Sequence, residues 1–427
     1  MKELSKFKKN CRLCNSNNLK KIINIPKSQP VDNFRRVFHH DLDLPSFTMD
    51  LYMCLDCNHA QLLNVVSPDI LYGNYVYLSN SSTDLKKHFK EYSEFLFKKK
   101  YIKKNQSILD IGCNDGLLLD FFKNKKVRTY GIDPAPKAID ICSKNGHITF
   151  SDYFNNHTAK KILLKSKKKF NIITANNVFS HSHNLLGILK NAKSLLLDNG
   201  YYIFEVSYLA DTIKNRVIDY IYHEHLSYHS IKSLVPFLRK AGMYIYNVKK
   251  VSTKGGSIRV VSGCKKENEN KKLISKLIKE EENLNIYNLN FYRKINKEIN
   301  NTKSLINNYL SDLKNKNPNI NIFAYGASAT GIVLSRMLGI DRYLSAYIDD
   351  NKAKVNLLSP NSFLPVISLE HIKNKKNILI LILAWRFAKS IKNIIKNKLP
   401  KNIRVITLKP VINNFREIKK NILNKLY

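Results

Sequence analysis

The sequence predicts an α/β protein of three domains: a small cysteine-stapled unit, then two doubly wound sheets joined by long helices. Three observations carry that reading. Two Cys-x-x-Cys pairs fall within the first 57 residues. An apolar strand running into a glycine turn and then a helix occupies 107–122. The same succession recurs at 320–334 of the 427-residue chain. A chain of this length exceeds one ordinary core, and about three domains is the prior expectation.

Composition narrows the partners. The formal charge is +39, but the excess is mostly lysine scattered along the chain. Readers of phosphate and bases favour arginine forks, so a nucleic-acid partner is disfavoured. A few of these charges suffice to attract an anionic small molecule such as a nucleotide diphosphate. No apolar run reaches the roughly 20 residues of a spanning helix. The start, Met1 to Lys6, has no apolar core of a signal peptide, so no membrane is expected and the cytoplasm is the default.

Residues 1–75 form the first unit. Cys11, Cys14, Cys54 and Cys57 point two pairs of thiolates at one tetrahedral ion, the arrangement of a closed, structural Zn²⁺ site. A hydroxyl-rich loop follows at 71–82. Its Tyr75, Tyr77 and Ser79 are candidates for contacts with a sugar, while Ser82 or Thr83 could cap the helix that begins near Asp84.

The second unit spans 84–245. Its first strand ends in Asp110-Ile111-Gly112-Cys113-Asn114-Asp115-Gly116, an Asp-x-Gly-x-x-x-Gly turn whose glycines let backbone approach a ligand. Asp133 ends the second strand about 20 residues on, where a carboxylate takes both ribose hydroxyls. Asp152 and Tyr153 end the third strand and could flank an adenine, and Asn177 follows the fourth. This glycine spacing leans toward S-adenosylmethionine rather than NAD.

Within the same unit, Tyr220 to His229 packs three histidines and several aromatics around Glu224. Such a cluster suits removal of a proton from a carbon acid. Histidine is a base near neutral pH, a carboxylate tunes it, and a tyrosine hydroxyl donates to an oxyanion. A plain structural turn is the competing reading.

Between 246 and 316, Leu273, Leu277, Leu284, Leu289, Ile295 and Ile299 recur at helical spacing, which predicts one or two long amphipathic connecting helices. From 317 to 427 a strand, a turn from Gly326 to Gly331, and a helix open another nucleotide-type sheet. Ser328 stands at the middle glycine of the dinucleotide fingerprint, so NAD is weighted low. The run 377–385 reads as a buried strand.

The two knuckles, Leu109–Gly116, Asn177–His181, Glu205–Leu209 and Tyr222–His225 together resemble the zinc-containing, S-adenosylmethionine-dependent C-methyltransferases of nucleotide-linked 4-keto-deoxysugars. The resemblance covers nearly the whole chain. It implies a zinc domain, a class I S-adenosylmethionine-methyltransferase Rossmann-like domain, and a C-terminal Rossmann-like domain that helps hold the nucleotide sugar. It also implies methyl transfer to C-3 of the sugar through an enolate. His225 would be the base and Glu224 would orient or tune a histidine. Tyr222 or His181 would donate to the enolate oxygen, and Tyr75 or Tyr77 would reach the same pocket. The cofactor would meet Asp110, Gly112, Asn114, Gly116, Asp133, Asp152, Tyr153 and Asn177; the substrate would meet Ser79, Arg259 and Gly326. The chain departs from the family at Lys254, where His is usual, at Thr330 and Ile332, where Lys and Asn are frequent, and at Arg386, which replaces a common Asn. Two alternatives stand beside this reading: the same cofactor with a sugar hydroxyl or another carbon acid as acceptor, and an RNA-modifying protein. A monomer is compatible with all of them.

Overall fold

The computed structural model describes residues 4–36, 44–72, 78–81, 83–400 and 403–412. Each cysteine knuckle closes on an asparagine in the left-handed region, Asn15 at φ 67° and Asn58 at φ 61°. Their N–H groups return to the carbonyls of Cys11 and Cys54 at 2.9 Å. Asparagine tolerates that backbone better than most residues with a side chain. Strands Leu19–Ile23, Leu51–Cys54 and Ala60–Leu62 pair antiparallel behind the knuckles. The fourth strand of this sheet is Ser227–Tyr228, which pairs with Gln61 and Ala60. The histidine-rich segment therefore completes the N-terminal unit, a partnership 1–75 by itself does not contain.

The central sheet has seven strands in the spatial order Tyr244–Val251, Ser257–Gly263, Leu196–Ser207, Phe170–Asn176, Ser107–Ile111, Arg128–Asp133 and Ile148–Ser151. The last five run parallel, and Ser257–Gly263 is antiparallel to both its neighbours. Strand order reverses between Ser107–Ile111 and Phe170–Asn176, so a ligand crevice opens at the carboxyl ends of those two strands. Their apolar runs, Ile108, Leu109 and Ile111 beside Ile172, Ile173 and Ala175, are buried, as a parallel sheet covered on both faces requires. The sheet continues through a hairpin to Gly263, because Ser257–Gly263 is the strand that pairs with the Leu196–Ser207 edge.

Two helices follow, Lys271–Asn283 and Leu289–Lys316. Leu277, Ile295 and Ile299 are buried as the spacing predicts. The longer helix reaches back to the N-terminal unit, where the Asn296 amide donates to the Ile22 carbonyl at 2.8 Å. The last sheet is wholly parallel, in the order Val366–Ile367, Ala346–Ile348, Asn321–Tyr325, Ile378–Ile382 and Arg404–Thr407. Ser328 caps the helix Ala329–Leu338, its hydroxyl accepting from the Gly331 N–H at 3.1 Å. Among the described residues no helix is long and apolar enough to cross a membrane. The carboxyl edges of both parallel sheets face one cleft of about 2020 Å³, with Asp32 and Tyr72 of the N-terminal unit on its wall.

Candidate active site

At the central sheet the cleft is built from strand ends. Gly112 has φ +71°, and a Cβ there would stand 2.1 Å from Val178 Cγ2, so only glycine fits the turn. Gly116, at φ +84°, caps the helix Leu117–Lys123. The Asp133 carboxylate is aimed by two backbone donors, the N–H of Asn114 and that of Ala135, each at 2.9 Å. Asn114 Oδ1 accepts from the Ser79 N–H at 2.9 Å, which ties the hydroxyl-rich loop to the turn. Asp110 is buried, accepts from the Thr174 hydroxyl at 2.6 Å, and is pushed up to about 7 by that burial. Asp152, Tyr153 and Asn177 line the same cleft. So does Asn176, whose amide oxygen and nitrogen are both buried without a hydrogen-bond partner among the described residues. A carboxylate with lone pairs to spare, an orphaned amide and a half-exposed aromatic suit S-adenosylmethionine: Asp133 could take the ribose, Tyr153 could flank the adenine, and Asp110 and Asn176 could meet the amino-acid end.

The histidine-rich segment divides in a way its sequence does not reveal. Of its three histidines only His225 lines the cleft. His229 stacks on Phe179 with centroids 5.3 Å apart, and His223 packs edge-on to Phe47 at 5.9 Å. His225 Nδ1 lies 2.9 Å from the Tyr220 carbonyl. A carbonyl only accepts, so Nδ1 carries the proton and Nε2 keeps its lone pair. Burial, then repulsion from Lys254, pulls this imidazole down to about 3 and keeps it neutral. Its ring packs against those of Tyr220 and Tyr222, at 4.6 and 4.2 Å, and the two tyrosine rings meet each other at 5.7 Å. His181 meets it edge-on at 5.0 Å, and the Tyr72 hydroxyl sits 3.1 Å from His181 Nδ1.

Two expectations require correction. Glu224 lines the cleft but does not bond a histidine; the groups that act on it are Asp32, Lys254 and Lys354, and burial raises its carboxyl far above the usual range. The Tyr220 carbonyl is what orients His225. Arg259 is buried inside the sheet rather than in the cleft, paired with Glu205 and stacked 3.5 Å over Tyr92. Glu205 in turn accepts from His88 Nε2 at 2.7 Å. Gly326 lines the C-terminal part of the cleft. Tyr75 and Tyr77 lie outside the described residues. Sequence reasoning missed Asp219, which is fully buried and accepts from Trp385 Nε1 at 2.9 Å, with Arg386 Nη1 3.8 Å away. Nothing in the local pattern Ile-Asp-Tyr marks that carboxylate in advance.

The four sulfurs of Cys11, Cys14, Cys54 and Cys57 all lie within 4.8 Å of one another. Zn–S bonds of about 2.3 Å in a tetrahedron need such spacing, so the set fits a structural Zn²⁺ with no open position. From the first knuckle, Arg12 Nη1 donates to Gln61 Oε1 at 3.0 Å and to the Leu226 carbonyl at 3.1 Å. The metal unit thus grips the residue next to His225.

Three family profiles match in sequence: a zinc binding domain over 11–72, a methyltransferase domain over 82–248, and a C-methyltransferase C-terminal domain over 252–410. The C-methyltransferase NovU of Streptomyces niveus is 24% identical over 351 residues, which span 81% of this chain and 82% of that protein. A ubiquinone biosynthesis O-methyltransferase of Pelagibacter ubique is 30% identical over 126 residues, 29% of this chain and 50% of that one. Among solved structures, the magnesium protoporphyrin IX methyltransferase of Synechocystis PCC 6803 with bound S-adenosylmethionine aligns at a TM-score of 0.32 and 13% identity, over 42% of this chain and 78% of that one.

Proposed function

We propose that this chain, a zinc-containing, S-adenosylmethionine-dependent C-methyltransferase, adds a methyl group to C-3 of a nucleotide-linked 4-keto-deoxysugar by way of an enolate. The observation that carries this reading is His225, neutral and tautomerically fixed, at the wall of a cleft shared by two nucleotide-type sheets. A C-4 ketone acidifies the proton on C-3, and an imidazole with its Nε2 lone pair free is suited to remove it. S-adenosylmethionine supplies an electrophilic methyl group when bound. The chain's own contribution is to hold the two carbons in line and exclude water while the proton moves. Tyr222 flanks the base and supplies a hydroxyl to the developing oxyanion.

The nucleotide end belongs at the C-terminal sheet. Gly326, Thr330, Asp349 and Asp350 line the cleft at the carboxyl ends of its strands, and Arg386 adds a cation. That edge is where open α/β sheets hold nucleotides. A cleft of about 2020 Å³ accommodates both molecules together.

The test is mass-resolved methyl transfer with S-adenosylmethionine and a nucleotide-linked 4-keto-6-deoxysugar, beside a parallel reaction on bulk RNA. One methyl gained on the sugar by the native protein, and lost by at least about 10²-fold in His225→Ala, is the expected result. Methylated RNA with an untouched sugar overturns it, and so does a His225→Ala variant of native rate.

A further inference from the structure

The last two strands of the central sheet are joined by the turn Thr253–Gly255, and Lys254 stands at its tip. The turn is clamped. Lys254, Gly255 and Gly256 have φ of 56°, 84° and 128°. A Cβ on Gly255 would stand 2.9 Å from Val217 Cγ1, and one on Gly256 would stand 2.3 Å from Asp211 Cβ. The Gly256 N–H donates to the Thr253 carbonyl at 3.0 Å, the Asn215 amide to the Gly255 carbonyl at 3.0 Å, and the Tyr208 N–H to the Gly256 carbonyl at 3.2 Å. These contacts hold the turn in the left-handed backbone that places Lys254 at its tip.

The side chain enters the cleft. Much of it meets solvent, but that solvent lies inside walls contributed by all three domains. Among the described residues the ammonium has no hydrogen-bond or ion-pair partner. Its charge nevertheless acts on His225, His181 and Glu224, and Glu205 and Glu224 act on it. An unpaired cation is therefore held beside the neutral base, in the space where a substrate would sit.

We propose that Lys254 is a catalytic residue, its ammonium holding the oxygen that becomes negative as His225 removes the carbon-bound proton. The inference rests on the reading of the cleft given above. In that step the C-3–H bond breaks, the proton passes to His225 Nε2, and the bond's electron pair forms the C-3–C-4 double bond. The carbonyl π pair moves onto the oxygen, against Lys254. When C-3 takes the methyl carbon, the oxygen's pair returns to the carbonyl, the methyl–sulfur bond breaks with its pair leaving on the sulfur of S-adenosylhomocysteine, and His225 releases its proton to water. A neutral imidazole cannot balance the anion before it is protonated, and His181, which burial also keeps neutral, brings no charge to it. Enclosure brings the ammonium down to about 8, with Glu224 and Glu205 pulling the other way. It therefore stays mostly protonated at neutral pH, and between the cleft walls, once substrate displaces solvent, its attraction for an oxyanion exceeds that in bulk water.

The experiment separates enolisation from methyl transfer. A nucleotide-linked 4-keto-6-deoxysugar is incubated in D₂O with the full-length protein and S-adenosylhomocysteine, and deuterium at C-3 is followed by NMR. Native protein, Lys254→Met and Lys254→Arg are compared, with S-adenosylhomocysteine affinity measured for each by calorimetry as a check on folding. Loss of exchange by about 10²–10³-fold in Lys254→Met, with affinity kept and substantial recovery in Lys254→Arg, is the expected outcome. Exchange within about threefold of native in Lys254→Met overturns the proposal, as does a borohydride-trapped adduct on Lys254, which would make the amine a covalent nucleophile. Native protein that neither exchanges nor methylates the ketosugar refutes the substrate reading itself, and the role of Lys254 falls with it; native exchange with an indifferent Lys254→Met refutes only the lysine.

Discussion

Burial keeps His225 neutral down to about pH 3, and it also depresses His223 to about 4 and His229 to about 3. His59 and His181 are lowered for the same reason. An unfolded histidine titrates near 6.5, so below that pH the unfolded chain binds more protons than the folded one. Stability is therefore complete above about 6.5 and is lost as pH falls below it. Thermal unfolding between pH 7.5 and 5 should show the midpoint dropping more steeply than one titrating group allows; a flat midpoint over that range contradicts the burial of this cluster. Activity has the opposite limit. Lys254 loses its charge as pH rises through about 8, so kcat/KM should fall on the alkaline side. In Lys254→Arg, which stays charged, that limb should move to higher pH. Glu224 faces the same space and is also raised, by burial and Asp32, so Glu224→Gln is the control that assigns the limb.

Between element and element, the decisive contact is the grip of the metal unit on the histidine-rich segment. Ser227–Tyr228 is a strand only because Ala60–Leu62 is there to pair with it, and the Leu62 N–H donates to the Leu226 carbonyl at 3.0 Å. Arg12 reaches the same carbonyl from between the two cysteines of the first knuckle. Hydrogen bonds of a charged donor are each worth about 1.5–3 kcal/mol. Removing the metal with a chelator, or making Cys54→Ala, should abolish methyl transfer. Hydrogen exchange at 220–228 should rise together with that at 60–62, while the strand 107–111 stays protected. Arg12→Ala should do the same more mildly, lowering kcat by roughly 10-fold with a smaller change in cofactor affinity. Unchanged exchange at 220–228 in the metal-free protein would separate the two units. On its other side the segment leads into the helix Ile231–Lys240, whose first N–H groups are taken by the buried carboxylate of Glu281, with Ile231 donating at 2.6 Å. As the middle residue of Glu280-Glu281-Glu282 it gives no hint of that role in the sequence.

Across the whole molecule, the cleft exists because three chain segments far apart in sequence close around it. Trp385 and Arg386 of the C-terminal sheet meet Asp219 of the central domain, and Arg386 lies 5.5 Å from the Tyr220 ring that flanks His225. Trp385→Phe deletes the indole donor and leaves Asp219 buried with one partner fewer. It should raise KM for the nucleotide sugar several-fold while S-adenosylmethionine affinity holds, and equal losses in both would show that the contact merely supports the fold.

The parts that local rules govern were legible along the chain. Cysteine spacing announced the metal staple, a strand ending in Asp110-Ile111-Gly112 announced the cofactor turn, and three-and-four spacing announced the connecting helices. Each depends on residues within a few positions of one another, where backbone geometry and side-chain period are set by chemistry along the chain. Which of the three histidines of 220–229 faces the cleft followed instead from how the domains close. So did the place of Arg259 inside the sheet, the answer of Glu224 to Asp32 and two lysines, and the place of Lys254 beside His225. Those outcomes depend on which surface each side chain meets after the domains close. Burial, charge and hydrogen-bond partners across a cleft are properties of distance in space, and spacing along a sequence does not encode them.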